Sequence, residues 1–226
     1  MLADVDISEP ASLIGDPTRA AFLMALSEER SLPAGELARR AGVTASTASI
    51  QLAKLVDGGL LTVERHGRHR YYSLADPAIA AAIESLAVIA PQRPARSLRQ
   101  ARIGSDLQAA RTCYDHLAGA LGVALFDALL EKRVVTPDLE PTRSGSRRLR
   151  ALGVDVEGAA EGRRAFARRC LDWSERRDHL AGALGAAIAT RFFELGWIER
   201  TPSSRAVRVT GAGRTGLARE LAVRLG

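Results

Sequence analysis

The sequence predicts a mainly α-helical chain in two parts, with short β-hairpins between helices. Three observations carry this. Ala, Leu and Val dominate an apolar fraction of 46%, while aromatic residues make up only 4%, and Ala and Leu are strong helix formers. Residues 44–74 (TASTASIQLAKLVDGGLLTVERHGRHRYYSL) read as a helix, a double-glycine stop and two strand-like runs around a basic turn. The octapeptide DHLAGALG occurs at 115–122 and again at 178–185, marking an internal repeat.

Taken in order, Ile7–Leu13 predicts a short helix. Asp16-Pro17 opens a second, because Asp caps and Pro suits the first helical position; Ala20, Leu23, Met24 and Leu26 line its buried side. A third is expected from Leu32-Pro33 through Leu37 and Ala38 to Gly42. The fourth starts at Thr44, puts Leu52, Leu55 and Val56 on one face, and stops at Gly58-Gly59. Leu60–Glu64 and Arg70–Leu74 are expected strands around the turn Arg65–His69. A helix followed by a hairpin with a cationic tip is the layout of a winged helix-turn-helix: the helix fits the major groove and the tip reaches phosphate or the minor groove. Asp76-Pro77 starts another helix, to about Ala90, with Ile79, Ile83, Leu86 and Ile89 along one side.

Pro91–Arg102, with two prolines and four arginines, reads as a domain boundary. The expected organisation is a winged helix-turn-helix and dimerisation domain over 1–90, a basic linker or helix start over 91–102, and a helical C-terminal domain over 103–226. That domain is expected to carry two short β-hairpins from the repeat, whose copies span about 113–153 and 170–226. The two octapeptides predict helix starts capped by Asp115 and Asp178. After each comes an apolar helix end (Phe126–Leu130, Phe192–Leu195), and Thr142-Arg143-Ser144-Gly145 answers to Thr210-Gly211-Ala212-Gly213 in an ungapped register. Each copy thus reads helix, hairpin, helix, an echo of the N-terminal unit packed as a pseudo-twofold pair.

Net charge is +6, and all cations but Lys54 and Lys132 are arginines. The charge suits a polyanionic partner but supports nucleic acid only weakly, since acidic residues are plentiful. Met1–Pro10 is acidic and lacks the apolar core of a signal peptide, and no apolar run reaches the roughly 20 residues of a membrane span. A cytoplasmic protein with no membrane partner is expected, in which Cys113 and Cys170 do not form a structural disulfide.

Residues 7–90 resemble the ArsR-like family of winged-helix repressors. The resemblance lies in Leu13-Ile14-Gly15-Asp16-Pro17-Thr18-Arg19, Glu36-Leu37-Ala38, Val43–Ser49, Leu52-Ala53-Lys54-Leu55, Gly58-Gly59-Leu60-Leu61 and Gly67–Leu74, in order and spacing. It implies a homodimeric repressor that reads a palindromic operator in double-stranded DNA, with Ile7–Leu13 and Pro77–Ala90 supplying the dimer interface. The residues agree with that: Thr44, Ser46, Thr47, Ser49 and Gln51 offer hydroxyls and an amide to base edges, and Lys54, Arg65, Arg68 and Arg70 suit phosphate or minor groove. Thr44 also fits a plain helix cap. His66 and His69 read as neighbours of solvent or phosphate rather than metal ligands. The family's usual sensor cysteines are absent from Pro33–Ala41, and Pro77–Ala90 holds only Glu84 of the carboxylates and histidines of its other common site.

The soft donors lie in the C-terminal half. Cys113 and His116 sit at the first repeat helix, Cys170, Asp172 and His179 at the second; if the repeats pair, Cys113, His116, Cys170 and His179 converge, and Cys₂His₂ suits a Zn-like or thiophilic metal ion. Cys113-x-x-His116 matches one helical turn. Three readings stay open: aspartate caps with packed cysteines and histidines; a metal, thiol or small-molecule effector site walled by Arg111, Tyr114 and Trp173; or a thiol-redox switch or Cys/His enzyme centred on Cys113 and Cys170. A nucleophile elbow or phosphate loop is not present in the sequence, and an enzyme would leave the N-terminal reader idle.

Overall fold

The structure, a computed structural model, describes residues 5–28, 31–67, 69–91, 94–95, 97–162, 164–201 and 204–223. The chain folds as two compact units, Met1–Ile83 and Glu84–Gly226. The wing residue Arg68 and the linker residues Gln92, Arg93 and Arg96 lie outside the described residues.

The first unit runs α1 (Ser8–Gly15), α2 (Pro17–Glu28), β1 (Leu32–Pro33), α3 (Ala34–Ala41), α4 (Ala45–Asp57), β2 (Leu61–His66), β3 (His69–Leu74) and the start of α5 (Pro77–Ile89). The Asp16 carboxylate accepts from the backbone N–H groups of Thr18 and Arg19, both at 2.9 Å, and so caps α2. Leu32-Pro33 does not begin α3. It forms a short strand, with Leu32 opposite Tyr72, and completes an antiparallel sheet of order β1-β3-β2. Proline is tolerated there because β1 is an edge. The hairpin is longer and its turn tighter than expected: Arg65 pairs with Arg70 and His66 with His69 across the strands. Gly67, at φ +60°, supplies the left-handed backbone such a turn needs. Phe22, Leu23, Leu26, Leu37, Leu52 and Leu55 are fully buried under this sheet and hold α4 in place. At roughly 2–5 kcal/mol for each Leu cut to Ala, this small core fixes the reading helix rigidly.

The second unit continues with α6 (Leu98–Ala109), β4 (Arg111–Cys113), β5 (His116–Ala118), α7 (Gly119–Glu131), α8 (Arg143–Ala151), α9 (Val156–Glu161), β6 (Arg168–Leu171), β7 (Asp178–Ala181), α10 (Gly182–Glu194), β8 (Ile198–Arg200), β9 (Val207–Val209) and α11 (Gly211–Gly216), which runs on as a π-helical turn over Leu217–Leu221. One apolar core built from both copies fills it, including Leu121, Phe126, Leu129, Leu149, Leu184, Phe192 and Leu217.

Here the expectation for DHLAGALG is corrected. Its first half is strand, not helix: His116–Ala118 and Asp178–Ala181 pair with the segments just upstream, β4 with β5 and β6 with β7. The helix begins only at the glycine, Gly119 at φ +74° or Gly182 at φ +90°. A Cβ on Gly182 would lie 2.9 Å from the Ala165 and Phe166 carbonyl oxygens, so the chain turns there on glycine's freedom. Asp115 and Asp178 therefore cap no helix. Each copy is hairpin, helix, return, helix.

The returns differ. After α10 a full hairpin, β8-β9, forms, whereas after α7 a single bridge joins Val135 to Pro141. The ungapped register also fails: the octapeptides are 63 residues apart, but Thr142 and Thr210 are 68 apart, the second copy being longer in its return. The ends of the copies still match closely. Thr142 accepts from the Gly145 N–H at 2.9 Å and donates to the Arg133 carbonyl; Thr210 accepts from the Gly213 N–H at 2.9 Å and donates to that of Gly196.

Candidate functional site

On α4 the helix period sorts the side chains. Ser46, Ser49, Ile50, Ala53, Lys54 and Asp57 are exposed along one face, while Ala48, Leu52 and Leu55 are buried on the other. Thr44 is the N-cap: its Oγ1 accepts from the Thr47 N–H at 3.2 Å and lies 3.0 Å from the hydroxyls of both Ser46 and Thr47. Gln51 is not turned fully outward. It is half-buried, and its Oε1 accepts from Arg19 Nη1 at 2.8 Å. Arg19 also donates to the Ser12 and Leu13 carbonyls, so Gln51 belongs to a clamp joining α1, α2 and α4. The exposed face thus offers Ser46 and Ser49 together with Ile50 and Ala53, two apolar positions overlooked in the sequence although they follow from i, i+3, i+4 spacing. Such side chains contact a thymine methyl. Arg65, His66, His69 and Arg70 are exposed on the wing, with the His66 ring edge-on to Tyr71 at 5.5 Å.

In the second unit the four soft donors meet. Cys113 faces His116 across β4-β5, and Cys170 faces His179 across β6-β7, so each hairpin supplies one Cys and one His at directly opposed positions. The Cys113-x-x-His116 pair is therefore closed by a two-residue turn, Tyr114-Asp115, not by a helical turn. The two hairpins meet reciprocally: the site of a Cβ on Gly122 lies 3.5 Å from His179 Cβ, and that on Gly185 lies 3.2 Å from His116 Cβ. The imidazoles stack with centroids 5.1 Å apart, the two sulfurs are 4.0 Å apart, and one donor atom from each of the four residues lies within 4.8 Å of every other. Cys113, His116 and His179 are at most 2% exposed, and Cys170 is half-buried.

A carboxylate stands behind each imidazole. Asp115 Oδ1 lies 3.3 Å from His116 Nδ1 and is gripped by the Arg164 guanidinium. Asp172 Oδ2 lies 3.6 Å from His179 Nδ1. It also accepts from Arg111 Nη2 at 2.9 Å and from the Gly119 N–H at 2.7 Å, while Oδ1 takes the Ser174 N–H and hydroxyl and the Glu175 N–H. Burial works against ionisation of both carboxyls, but their arginines and donors outweigh it and hold both well below the usual range. The two thiols split. Donation from Cys113 and the facing imidazoles pull Cys170 far down, while the same bond and burial push Cys113 up.

Arg111, expected as a pocket wall, is instead fully buried, its guanidinium 4.5 Å over the Trp173 ring and paired with Asp172. A surface cavity of about 560 Å³ lies elsewhere in this unit, lined by Arg102, Asp106, Glu199, Arg200, Arg208 and Arg214. From the cluster a buried path leads to α5: the Thr112 N–H donates to the Arg205 carbonyl at 2.9 Å, and the Arg205 guanidinium pairs with Glu84 on α5. Sequence reasoning missed this ion pair because its members are 121 residues apart.

A helix-turn-helix domain family matches residues 14–64, the span from α1 through α4 into β2. Over 223 residues the chain is 45% identical to YdfF of Bacillus subtilis (strain 168), an uncharacterized HTH-type transcriptional regulator, covering 97% of this chain and 99% of that one. The chain belongs to the HTH-type transcriptional regulators. The regulator is also similar to two solved structures. One is the transcriptional repressor BigR from Xylella fastidiosa, at 23% identity over 38% of this chain and 88% of that one, TM-score 0.36. The other is the homodimeric winged helix-turn-helix DNA-binding domain of Mb0332 from Mycobacterium bovis, a possible ArsR-family regulator, at 23% identity over 39% and 89%, TM-score 0.35. As an HTH-type transcriptional regulator, the chain has DNA as its partner. Among the described residues no helix is long and apolar enough to cross a membrane.

Proposed function

We propose that the regulator is a cytoplasmic homodimeric repressor. It binds a palindromic operator through the exposed face of α4 and the Arg65–Arg70 wing, and leaves it when the half spanning 103–226 receives a signal. The observation that carries the reading is the pairing of a polar, exposed α4 face, rigidly backed by Leu52 and Leu55, with a cationic two-stranded wing. Ser46, Ser49, Ile50 and Ala53 are the base-side candidates on the exposed face, with Thr44 setting the helix start and Gln51 held in the Arg19 clamp rather than offered to bases; Lys54, Arg65, Arg68 and Arg70 hold phosphate.

Two further features support a dimer. No residue of α1 is buried, and Ile7 is 70% exposed; on α5, Leu86 and Ile89 are 43% and 78% exposed. These are the two elements for which the ArsR-like resemblance implies pairing, and exposed apolar side chains of this size mark an interface. The Glu84–Arg205 pair ties the later half of α5 into the second unit; a signal received by that unit would release DNA by favouring a state with a different spacing of the two readers.

The test is selection from a random duplex pool by the full-length protein at moderate salt. Enrichment of an inverted repeat with half-sites about one helical turn apart supports the reading. Recovery of unenriched DNA, or of a non-repeated site, overturns it.

A further inference from the structure

We propose that Cys113, His116, Cys170 and His179 form a closed, four-coordinate Zn²⁺ site that joins the two copies of the repeat. The inference rests on the second unit alone and goes beyond the DNA-reading function.

Distance decides first between a disulfide and an ion. A disulfide needs its sulfurs about 2.05 Å apart, and here they are 4.0 Å apart. Two thiolates on one tetrahedral zinc, each with a Zn–S bond of about 2.3 Å, lie roughly 3.8 Å apart. The observed spacing fits a shared ion with little movement. The remaining donors are close enough to complete the shell, since all four atoms lie within 4.8 Å of one another.

The histidines supply independent support. Nε2 of His116 and both ring nitrogens of His179 are buried without a hydrogen-bond partner, a costly state for a polar atom in a packed interior. On the other edge, Asp115 lies 3.3 Å from His116 Nδ1, and Asp172 stands 3.6 Å from His179 Nδ1, near but not hydrogen-bonded. A carboxylate at Nδ1 fixes the tautomer that leaves the Nε2 lone pair free for a metal and increases its basicity. Because each carboxylate is also paired with a buried or half-buried arginine, two thiolates and one divalent ion close the site near neutrality.

The donor set selects the metal. Two thiolates and two imidazoles in a closed, buried site suit Zn²⁺; hard cations want oxygen, and Cu(I) favours sulfur-richer sets. The construction across the repeat also explains why each copy keeps one Cys and one His at facing strand positions while the loops between them differ, two residues in β4-β5 and six between paired Leu171 and Asp178.

The experiment uses full-length protein, reduced and stripped with chelator, then titrated with Co²⁺ and back-titrated with Zn²⁺. The expected result is one Co²⁺ per chain with the intense visible bands of tetrahedral cobalt and thiolate charge transfer, displaced by one equivalent of Zn²⁺. Cys170→Ser and His116→Ala should abolish those bands. Asp115→Asn, which removes no ligand, should keep the spectrum but weaken binding about 10–100-fold, the usual cost of losing the group behind a metal-bound imidazole. Tryptophan fluorescence shows whether each variant is folded. Weak octahedral cobalt, a folded Cys170→Ser that binds as well as wild type, or a reduced protein that takes up no metal overturns the proposal. Because no DNA is used, such a failure leaves the operator-binding reading standing.

Discussion

Asp172 is the residue on which the second unit depends most, and its replacement by asparagine is the sharpest structural test. The side chain is fully buried and accepts five hydrogen bonds, from Arg111, Gly119, Glu175 and twice from Ser174. Asparagine keeps the shape and can keep the Oδ1 acceptor. At Oδ2 it would place an NH₂ against two donors, Arg111 Nη2 and the Gly119 N–H, and leave the Arg111 charge buried without a counter-ion. Removing one partner of a buried pair costs about 3–5 kcal/mol. At roughly 3–4 °C per kcal/mol for a unit of this size, the melting temperature should fall about 10–20 °C. Both tryptophans, Trp173 and Trp197, lie in the second unit, so their fluorescence in thermal or urea unfolding reports this unit and not the winged helix. The assay is run in chelator to remove any metal contribution. Arg111→Met should cost less, because the carboxylate keeps the Gly119, Ser174 and Glu175 donors and methionine fills much of the space. A shift below about 3 °C for Asp172→Asn, or a larger loss for Arg111→Met, would refute the reasoning.

Three more outcomes are expected. Ser46→Ala should relax sequence preference with little change in non-specific affinity. Arg65→Ala and Arg70→Ala should instead weaken binding to all sequences and reduce the slope of log affinity against log salt by about 0.9 for each phosphate no longer neutralised; fluorescence anisotropy over a salt series separates the two behaviours. Gly182→Ala should destabilise the second unit by at least about 2 kcal/mol, since φ +90° and carbonyls at 2.9 Å both resist a Cβ, whereas Gly211→Ala, with open space around it, should stay within about 0.5 kcal/mol; urea midpoints decide. Ile89→Glu should shift the protein toward monomer in analytical ultracentrifugation and weaken palindrome binding, and an unchanged dimer would remove Ile89 from the interface.

The N-terminal elements were legible because their signals are local. Asp16-Pro17 opens a helix, Gly42 and Gly58-Gly59 close two, and alternation around a glycine makes the wing. Where a signal was not local, reading failed. Gln51 looked like an outward amide because Arg19, its partner, is 32 residues away. DHLA looked helical because Ala and Leu favour helices; its strand form depends on pairing with Arg111–Cys113 or Arg168–Leu171 and on a left-handed glycine next in line. The four soft donors were visible by residue type and by the repeat. Their arrangement was not, because it comes from facing strand positions in two hairpins. Asp115 looked like a helix cap, since nothing local tells a cap from a carboxylate set behind an imidazole; Asp178, read the same way, pairs with Arg169 instead.

The proposal that a signal received by residues 103–226 releases the operator is tested most directly at the Cys-His cluster. The most direct measurement is operator affinity of the zinc-loaded and chelated protein, taken side by side with Cys170→Ser at fixed salt. Wild-type affinity is expected to differ between the two states by about fivefold or more, a coupling near 1 kcal/mol, while the variant shows one affinity throughout. Equal wild-type affinities in the loaded and chelated states would contradict it.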